Sequence, residues 1–336
     1  MDFKDFTALT DDEGRRLDRL VKIILNDKYS LNVTQNEIYR LLRKNFIKLN
    51  GKKASVQAKI HKGDIISIPD FCFLNKNQKE ENKDAIHSEK IKEKKIEIIY
   101  SSKDLFFVNK ERGISVQSSE NGKISLEKLA LSQAESNGLL SKDSISFKCG
   151  PLHRIDTNTT GIVTFSASLK GAQWFSLAIQ NHILEKTYLG IVEGIVKNSC
   201  TWEDKIFCES TNSKTKNFQT VKISPDGKES LTKIKPLAYG FCGIEKITLL
   251  EFKIVTGRKH QIRAQSAFHG HPLLGDSAYG AKKIKFVPFF LHAWKINFPQ
   301  DNELGLPQEI TAPLPEDFYN FIKSNLKITD SAFIIK

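Results

Sequence analysis

The sequence predicts an α+β protein with a small N-terminal domain and a larger domain built on a mixed β-sheet with helices. Three observations lead there. A chain of 336 residues with 40% apolar content is long for one core and suggests two domains. Between Asn75 and Lys95, Lys, Glu, Asn and Gln dominate and apolar residues are few, the composition of a linker. Beyond Ile96, strand signals come in runs with helices interspersed irregularly, which favours a mixed sheet over a repeating βαβ fold.

The N-terminal elements follow from periodicity. Arg16 to Leu25 reads as a helix, with Leu17, Leu20, Val21 and Ile24 at helical spacing. A second helix runs from Thr34 to Lys44. Thr34 followed by Glu37 makes a capping box, Ile38, Leu41 and Leu42 form the apolar stripe, and Arg40, Arg43 and Lys44 occupy the other face. Phe46 to Lys53 reads as a strand entering the Asn50-Gly51 turn, and Ile60 to Pro69 closes the unit after a Lys62-Gly63-Asp64 turn. The net charge of the chain is +12, with a pI near 9.3. From Gly14 to Asp64 there are 13 Lys and Arg against 4 Asp and Glu, so 13 − 4 = +9 of that excess lies in this stretch. A charge so localised suits a polyanionic partner.

Further along, strands are expected at Ile96–Tyr100, Asp104–Asn109, Gly161–Ser166, Thr187–Val192 and Lys246–Ile254. Helices are expected at Ser125–Glu135, Leu169–Asn181 and Arg258–Phe268. The five cysteines, Cys72, Cys149, Cys200, Cys208 and Cys242, form no C-x-x-C pair, which argues against a disulfide framework or a zinc site and for reduced thiols in the cytoplasm. Met1 to Glu13 has neither a basic region nor an apolar run, so no signal peptide is expected, and no stretch has the length of a membrane span.

The chemistry concentrates at His153-Arg154-Ile155-Asp156-Thr157-Asn158-Thr159-Thr160-Gly161. In an extended segment Arg154 and Asp156 project the same way while Ile155 points to the core. That sets an arginine beside a potential carboxylate nucleophile on one surface.

Two resemblances give these residues a context. Arg16-Leu17-Asp18-Arg19-Leu20, Ile38 to Lys44, Leu49-Asn50-Gly51-Lys52 and Lys62-Gly63-Asp64 resemble an S4 RNA-binding domain, here spanning 14–70, with Asn45-Phe46 where that family often has glycine. His153 to Gly161 resembles the H-R-L-D-x-x-T-S-G signature of RluA-type pseudouridine synthases, the group that includes the RluC and RluD branches. Glu185-Lys186-Thr187-Tyr188-Leu189, Gly257-Arg258-Lys259-His260-Gln261-Ile262-Arg263, Gly270 to Asp276, Tyr279-Gly280 and Leu291-His292-Ala293-Trp294 follow in that family's order. Asn109-Lys110-Glu111-Arg112-Gly113 departs from its N-K-P-x-G, with Glu111 in place of proline.

The shift in composition sets a charged linker over 71–96, and the resemblance implies a catalytic domain over 97–325, built on a mixed, mainly antiparallel β-sheet flanked by helices. It implies isomerisation of uridine to pseudouridine in RNA, most specifically bacterial large-subunit (23S) rRNA, with segments closer to the RluC branch. The substrate and product are isomers, so no cofactor and no metal are expected. Asp156 is implied as nucleophile, attacking C1′ of the sugar or C6 of the base. Arg263 is implied as its ion-pair partner, and Tyr188 as a platform for the uracil whose hydroxyl assists proton removal from C5. Arg154 is implied to fill the space of a flipped nucleotide. Arg40, Arg43, Lys44 and Lys52 are the residues expected to track RNA phosphates. Nothing requires more than a monomer or suggests a membrane partner.

Competing readings are a non-catalytic S4-type ribosome assembly factor and another S4-bearing enzyme, such as a methyltransferase or a tRNA synthetase. Retention of Asp156, Tyr188 and Arg263 argues against the first, and the absence of a Gly-rich cofactor loop against the second. His269-Gly270-His271 lacks a third metal ligand at a recognisable spacing. Lys259 and His260 read as RNA-facing or structural.

Overall fold

Four strands, β1 (Phe3–Thr7), β2 (Lys48–Leu49), β3 (Lys52–Lys53) and β4 (Ile65–Pro69), form an antiparallel sheet in the order β1-β4-β2-β3. They belong to a computed structural model that describes residues 2–29, 31–73, 95–117, 124–140, 145, 147–208, 220–284 and 287–328. Helix α1 (Leu17–Lys22) runs on into a π turn at Ile23–Lys28, and α2 (Gln35–Arg43) follows. Leu17, Leu20, Val21, Ile24, Ile38 and Leu42 bury their side chains against Ile47, Ile60, Ile66 and Ile68, forming a core of their own. At about 1.5–3 kcal/mol for each fully buried aliphatic side chain, this cluster is what holds so short a sheet together.

The caps expected from the sequence are in place. Thr34 Oγ1 accepts the Glu37 N–H at 3.3 Å while the Glu37 carboxylate accepts the Thr34 N–H at 2.7 Å. Asn45, at the position where S4 domains often have glycine, takes a left-handed φ of 58°, a conformation asparagine tolerates better than most residues. The helix therefore ends as it would with glycine. Asn50 and Gly51, at φ 52° and 73°, make the primed turn that joins β2 to β3. One boundary differs from expectation: this unit begins at Phe3, not Gly14, because β1 pairs with β4 and buries Phe6. Most of the expected linker, 74–94, lies outside the described residues.

The second sheet comprises β5 (Glu97–Ser101), β6 (Leu105–Lys110), β7 (Thr160–Ser166), β8 (Glu185–Glu193), β9 (Cys200–Cys208), β10 (Val221–Ile223), β11 (Lys228–Cys242), β12 (Glu245–Ile254), β13 (Leu291–Asn297), β14 (Glu309–Thr311) and β15 (Leu326–Ile328). Its main path is β10-β9-β11-β12-β8-β13-β7-β6-β5, with β14 beside β13 and β15 beside β11. Among the described pairings only β13 with β7 is parallel, so the sheet is mixed and mainly antiparallel. Helices α3 (Leu126–Ser136), α4 (Leu169–Gln180), α5 (Gln261–Phe268) and α6 (Glu316–Asn325) flank it.

Two features of this sheet position the site. Phe252, Tyr188, Ala293 and Gly161 are register partners in one row across β12, β8, β13 and β7. Gly161, at φ 102°, lets β7 approach β13 closely: a Cβ there would stand 2.2 Å from the Ala293 carbonyl oxygen. The glycine that ends the Asp156 motif is thus what brings that loop against the centre of the sheet. Among the described residues no helix is long and apolar enough to cross a membrane.

Candidate active site

Arg154 and Asp156 lie in a loop that leads into β7, outside any strand. Ile155 between them packs into the apolar clusters on either side, as the alternation of side chains requires. Both polar residues open onto one cleft of about 1130 Å³, which Tyr188, Lys186, Arg258, His260 and Arg263 also line. The structure therefore brings Arg154, Asp156, Tyr188 and Arg263 together. Arg40, Arg43, Lys44 and Lys52 are exposed on the N-terminal unit and do not line this cleft.

Helix α5 is pinned by two glutamines on one face. Gln261 accepts the Arg258 N–H and the Thr256 hydroxyl through Oε1, both at 2.9 Å. It donates through Nε2 to the Leu231 carbonyl at 3.1 Å and to Thr232 Oγ1 at 2.9 Å. Gln265, one turn on, accepts the Thr232 hydroxyl at 2.6 Å and donates to Asp204 at 2.7 Å. Residues at i and i+4 share a face, and so do those at i and i+3. Fixing Gln261 and Gln265 to β9 and β11 leaves His260 and Arg263 to face the cleft.

Arg263 is shared between two carboxylates. Its Nε and Nη2 donate to the two oxygens of Asp276 at 2.7 and 2.9 Å, and its Nη1 donates to Asp156 Oδ2 at 3.2 Å. The guanidinium lies over the Tyr279 and Phe289 rings, 4.9 and 4.6 Å from their centroids. Burial works against its charge, but the two carboxylates outweigh it and raise its pKa. The ion pair with Asp156 expected from the sequence is present. The anchoring by Asp276, almost fully buried at the end of the Gly270–Asp276 motif, is an addition from the structure.

Tyr188 is buried at the cleft floor, and burial, then the Asp156 charge, raises its pKa. Its phenol stays protonated at neutral pH and presents a ring face and an O–H donor. Burial also lowers the pKa of Lys186, two residues back on β8. His292, from the Leu291–Trp294 motif, is fully buried and ties β7 to the Ala312 loop. Its Nε2 lies 3.2 Å from the Ala312 carbonyl, an acceptor, so Nε2 carries the proton and Nδ1 accepts the Thr160 hydroxyl at 2.8 Å. Burial pushes its pKa down to about 4, so it stays neutral.

Lys110, which stands out in sequence only as part of the Asn109–Gly113 motif, supports the Asp156 loop. Its fully buried ammonium donates to the carbonyls of Glu111, Ile114 and Thr157 at 2.9, 3.0 and 2.9 Å. Arg112 adds a bond to the Asn158 carbonyl at 3.2 Å. Together they lock the turn immediately after Asp156, and Glu111 in place of proline does not prevent it.

Burial pushes the Lys110 pKa from 10.5 down to about 7, with the Asp156 charge opposing the shift. Below about 7 both folded and unfolded chains hold this proton. Between about 7 and 10.5 the unfolded chain binds a proton that the folded chain has released, so stability from this group rises with pH. The slope is at most about 1.4 kcal/mol per pH unit. Urea unfolding of Lys110→Met between pH 6 and pH 9 is expected to lack this rise; a variant curve parallel to wild type would show that Lys110 does not titrate there.

The chain is similar to known proteins along most of its length. Residues 104–268 match the RNA pseudouridylate synthase family. The chain is 27% identical over 319 residues to ribosomal large subunit pseudouridine synthase C of Vibrio vulnificus (strain CMCP6), covering 93% of each chain. It is 26% identical over 324 residues to the protein of the same name from Escherichia coli (strain K12), covering 92% of each. An uncharacterized RNA pseudouridine synthase, YlyB, of Bacillus subtilis (strain 168) is 25% identical over 329 residues, covering 95% of this chain and 97% of that one. Two solved structures share the fold: human RNA pseudouridylate synthase domain containing 4 and domain containing 1. The first has a TM-score of 0.55 at 17% identity, covering 74% of this chain and 99% of that one. The second has a TM-score of 0.53 at 23% identity, covering 66% and 84%.

Proposed function

We propose that this chain, whose residues 104–268 match the RNA pseudouridylate synthase family, isomerises specific uridines of large-subunit ribosomal RNA with Asp156 as its nucleophile. The single observation that carries the reading is the Asp156–Arg263 pair at 3.2 Å in a cleft shared with Tyr188. The substrate class is supported by similarity along nearly the whole chain to relatives named for that RNA.

The reaction breaks the C1′–N1 bond and forms C1′–C5; the C5 proton is lost and N1 gains one, so atoms balance without a cofactor. Asp156 attacks C1′ of the sugar or C6 of the base, and either route needs an ionised carboxylate held in one orientation. Arg263 supplies both the charge and the direction, and Asp276 fixes Arg263 in turn. Tyr188 gives the detached uracil a face to lie on. Arg154 is exposed at the cleft and makes no ion pair among the described residues. Its planar guanidinium is free to enter the RNA stack when the target uridine leaves it. The test is pseudouridine mapping of large-subunit rRNA from cells with and without this gene. Specific sites are expected to revert to uridine in its absence, and an unchanged map would overturn the substrate.

The N-terminal unit serves as an S4-type RNA anchor in this reading, with Arg40 and Arg43 on α2, Lys44 at its end and Lys52 on the β2–β3 hairpin. All four are exposed. Replacing them with alanine is expected to weaken RNA binding and to flatten the plot of log affinity against log salt. The slope should fall by roughly 0.7–0.9 for each phosphate that is no longer neutralised. Conversion of RNA already bound should proceed at the wild-type rate. An unchanged slope would remove this face from the RNA interface.

A further inference from the structure

We propose that His260 is a positioning residue: its Nε2–H, directed by Tyr279, faces the second oxygen of Asp156 and closes on it when RNA binds. The inference rests on the functional reading above and goes beyond it, since the histidine that sequence presents as RNA-facing or structural turns out to address the nucleophile.

One fixed donor favours a single set of hydrogen-bond directions. The Val221 N–H donates to the Tyr279 hydroxyl oxygen at 3.0 Å. The hydroxyl proton is then free to point to His260 Nδ1, 2.9 Å away. A neutral imidazole that accepts at Nδ1 carries its proton on Nε2. That Nε2 stands 3.6 Å from Asp156 Oδ1, while Arg263 holds Oδ2 at 3.2 Å. The two oxygens of the nucleophile thus face two different donors, one cationic and one neutral. At 3.6 Å the histidine contact is longer than a hydrogen bond, and such contacts tighten when substrate closes a site. Burial, with Arg263 and Lys259, lowers the pKa of His260 against the pull of Asp156 and Asp276, which agrees with a neutral ring. A neutral donor orients Asp156 without adding a second cation beside it.

The backbone gives independent support. His260 sits at φ 53° and ψ 23°, the left-handed region, immediately before α5. A non-glycine residue there costs energy, and such strain collects at functional positions. Asparagine tolerates this conformation best among side chains with an amide. Asparagine is therefore tolerated here at least as well as histidine, so the backbone alone does not require the imidazole.

The test uses that tolerance. A glutamine side-chain amide can place its nitrogen where the imidazole Nε2 sits, whereas asparagine reaches only the Nδ1 position. His260→Gln is expected to keep kcat within about threefold of wild type, and His260→Asn to lose about 10–100-fold in kcat with KM unchanged. Thermal unfolding is expected to rank them the other way, with His260→Asn the more stable. Equal kcat values, or a loss confined to KM, would overturn the role. Nitrogen-15 NMR of the histidine rings in the full chain checks the proton directly. His260 should be the Nε2–H tautomer, shifting toward a mixture in Tyr279→Phe, and an Nδ1–H ring in wild type would overturn the proposal. Wild-type protein that modifies no RNA would defeat the functional reading, whereas active wild type with equal Gln and Asn variants would defeat only this inference.

Discussion

Asp156→Asn is expected to give a folded protein that binds RNA and forms no pseudouridine. Asparagine is nearly isosteric with aspartate and keeps an oxygen that can accept from Arg263 Nη1. Arg263 also retains both bonds to Asp276, so its buried charge stays paired. Asp156 is 24% exposed, so removing its charge leaves no sealed polar gap. Stability should therefore change little. Chemistry should not survive, because a neutral amide is neither a competent nucleophile at C1′ or C6 nor a base. A loss of at least about 10³-fold in single-turnover conversion is expected, with RNA affinity within a few-fold of wild type. Introduced into cells lacking the gene, the variant should leave the mapped sites as uridine. A variant that retains a tenth of the wild-type rate would remove Asp156 from the nucleophile's position.

Asp156 can be singled out from sequence because its environment is local. Arg154, Ile155 and the turn closing on Gly161 are contiguous, and a period of two is enough to set the arginine and the carboxylate toward one cleft. The N-terminal unit is legible for the same reason: the Thr34–Glu37 box, the Asn50-Gly51 turn and the stripe on α2 are short-range devices. Strand β11 is hidden because Pro236 interrupts its alternation of lysines with apolar residues. That proline falls where the register with β12 slips, between partners contributed by β9 and by β15. A proline at a bulge is compatible with a strand, but in sequence it reads as a strand breaker. β1 escapes notice because five residues carry little periodicity.

The hidden parts of the site are the ones that depend on distant segments meeting. Lys110 looks like any surface lysine until β6 delivers it beneath the Thr157 carbonyl. Asp276 is a lone carboxylate in an apolar motif, which is a usable signal: a charge among Pro272, Leu273 and Leu274 must be buried with a partner. His260 has no comparable signal. Its ring contacts Tyr279, whose hydroxyl accepts from Val221 on a strand at the edge of the sheet.

Arg263→Met is expected to damage both stability and chemistry, and the two effects can be separated. In the wild type Asp276 is 2% exposed and its two oxygens are both bonded to Arg263. Removing the guanidinium leaves a buried carboxylate with no counter-charge, at a cost of about 3–5 kcal/mol. Methionine still packs beside the Tyr279 and Phe289 rings, so the loss is mainly electrostatic. Adding Asp276→Asn removes the stranded charge, and the double variant is expected to recover much of the stability, giving a coupling of at least about 1 kcal/mol in a double-mutant cycle. Isomerisation should not recover with it, because Asp156 still lacks the cation that orients it; a deficit of about 10²-fold or more should persist. Arg263→Lys should fall short as well, since one ammonium cannot make the paired bonds to Asp276 and reach Asp156 Oδ2 together. If the double variant regained its rate along with its stability, Arg263 would be a scaffold for Asp276 alone, and the nucleophile would have to be oriented by His260 and the Lys110-bound turn without it.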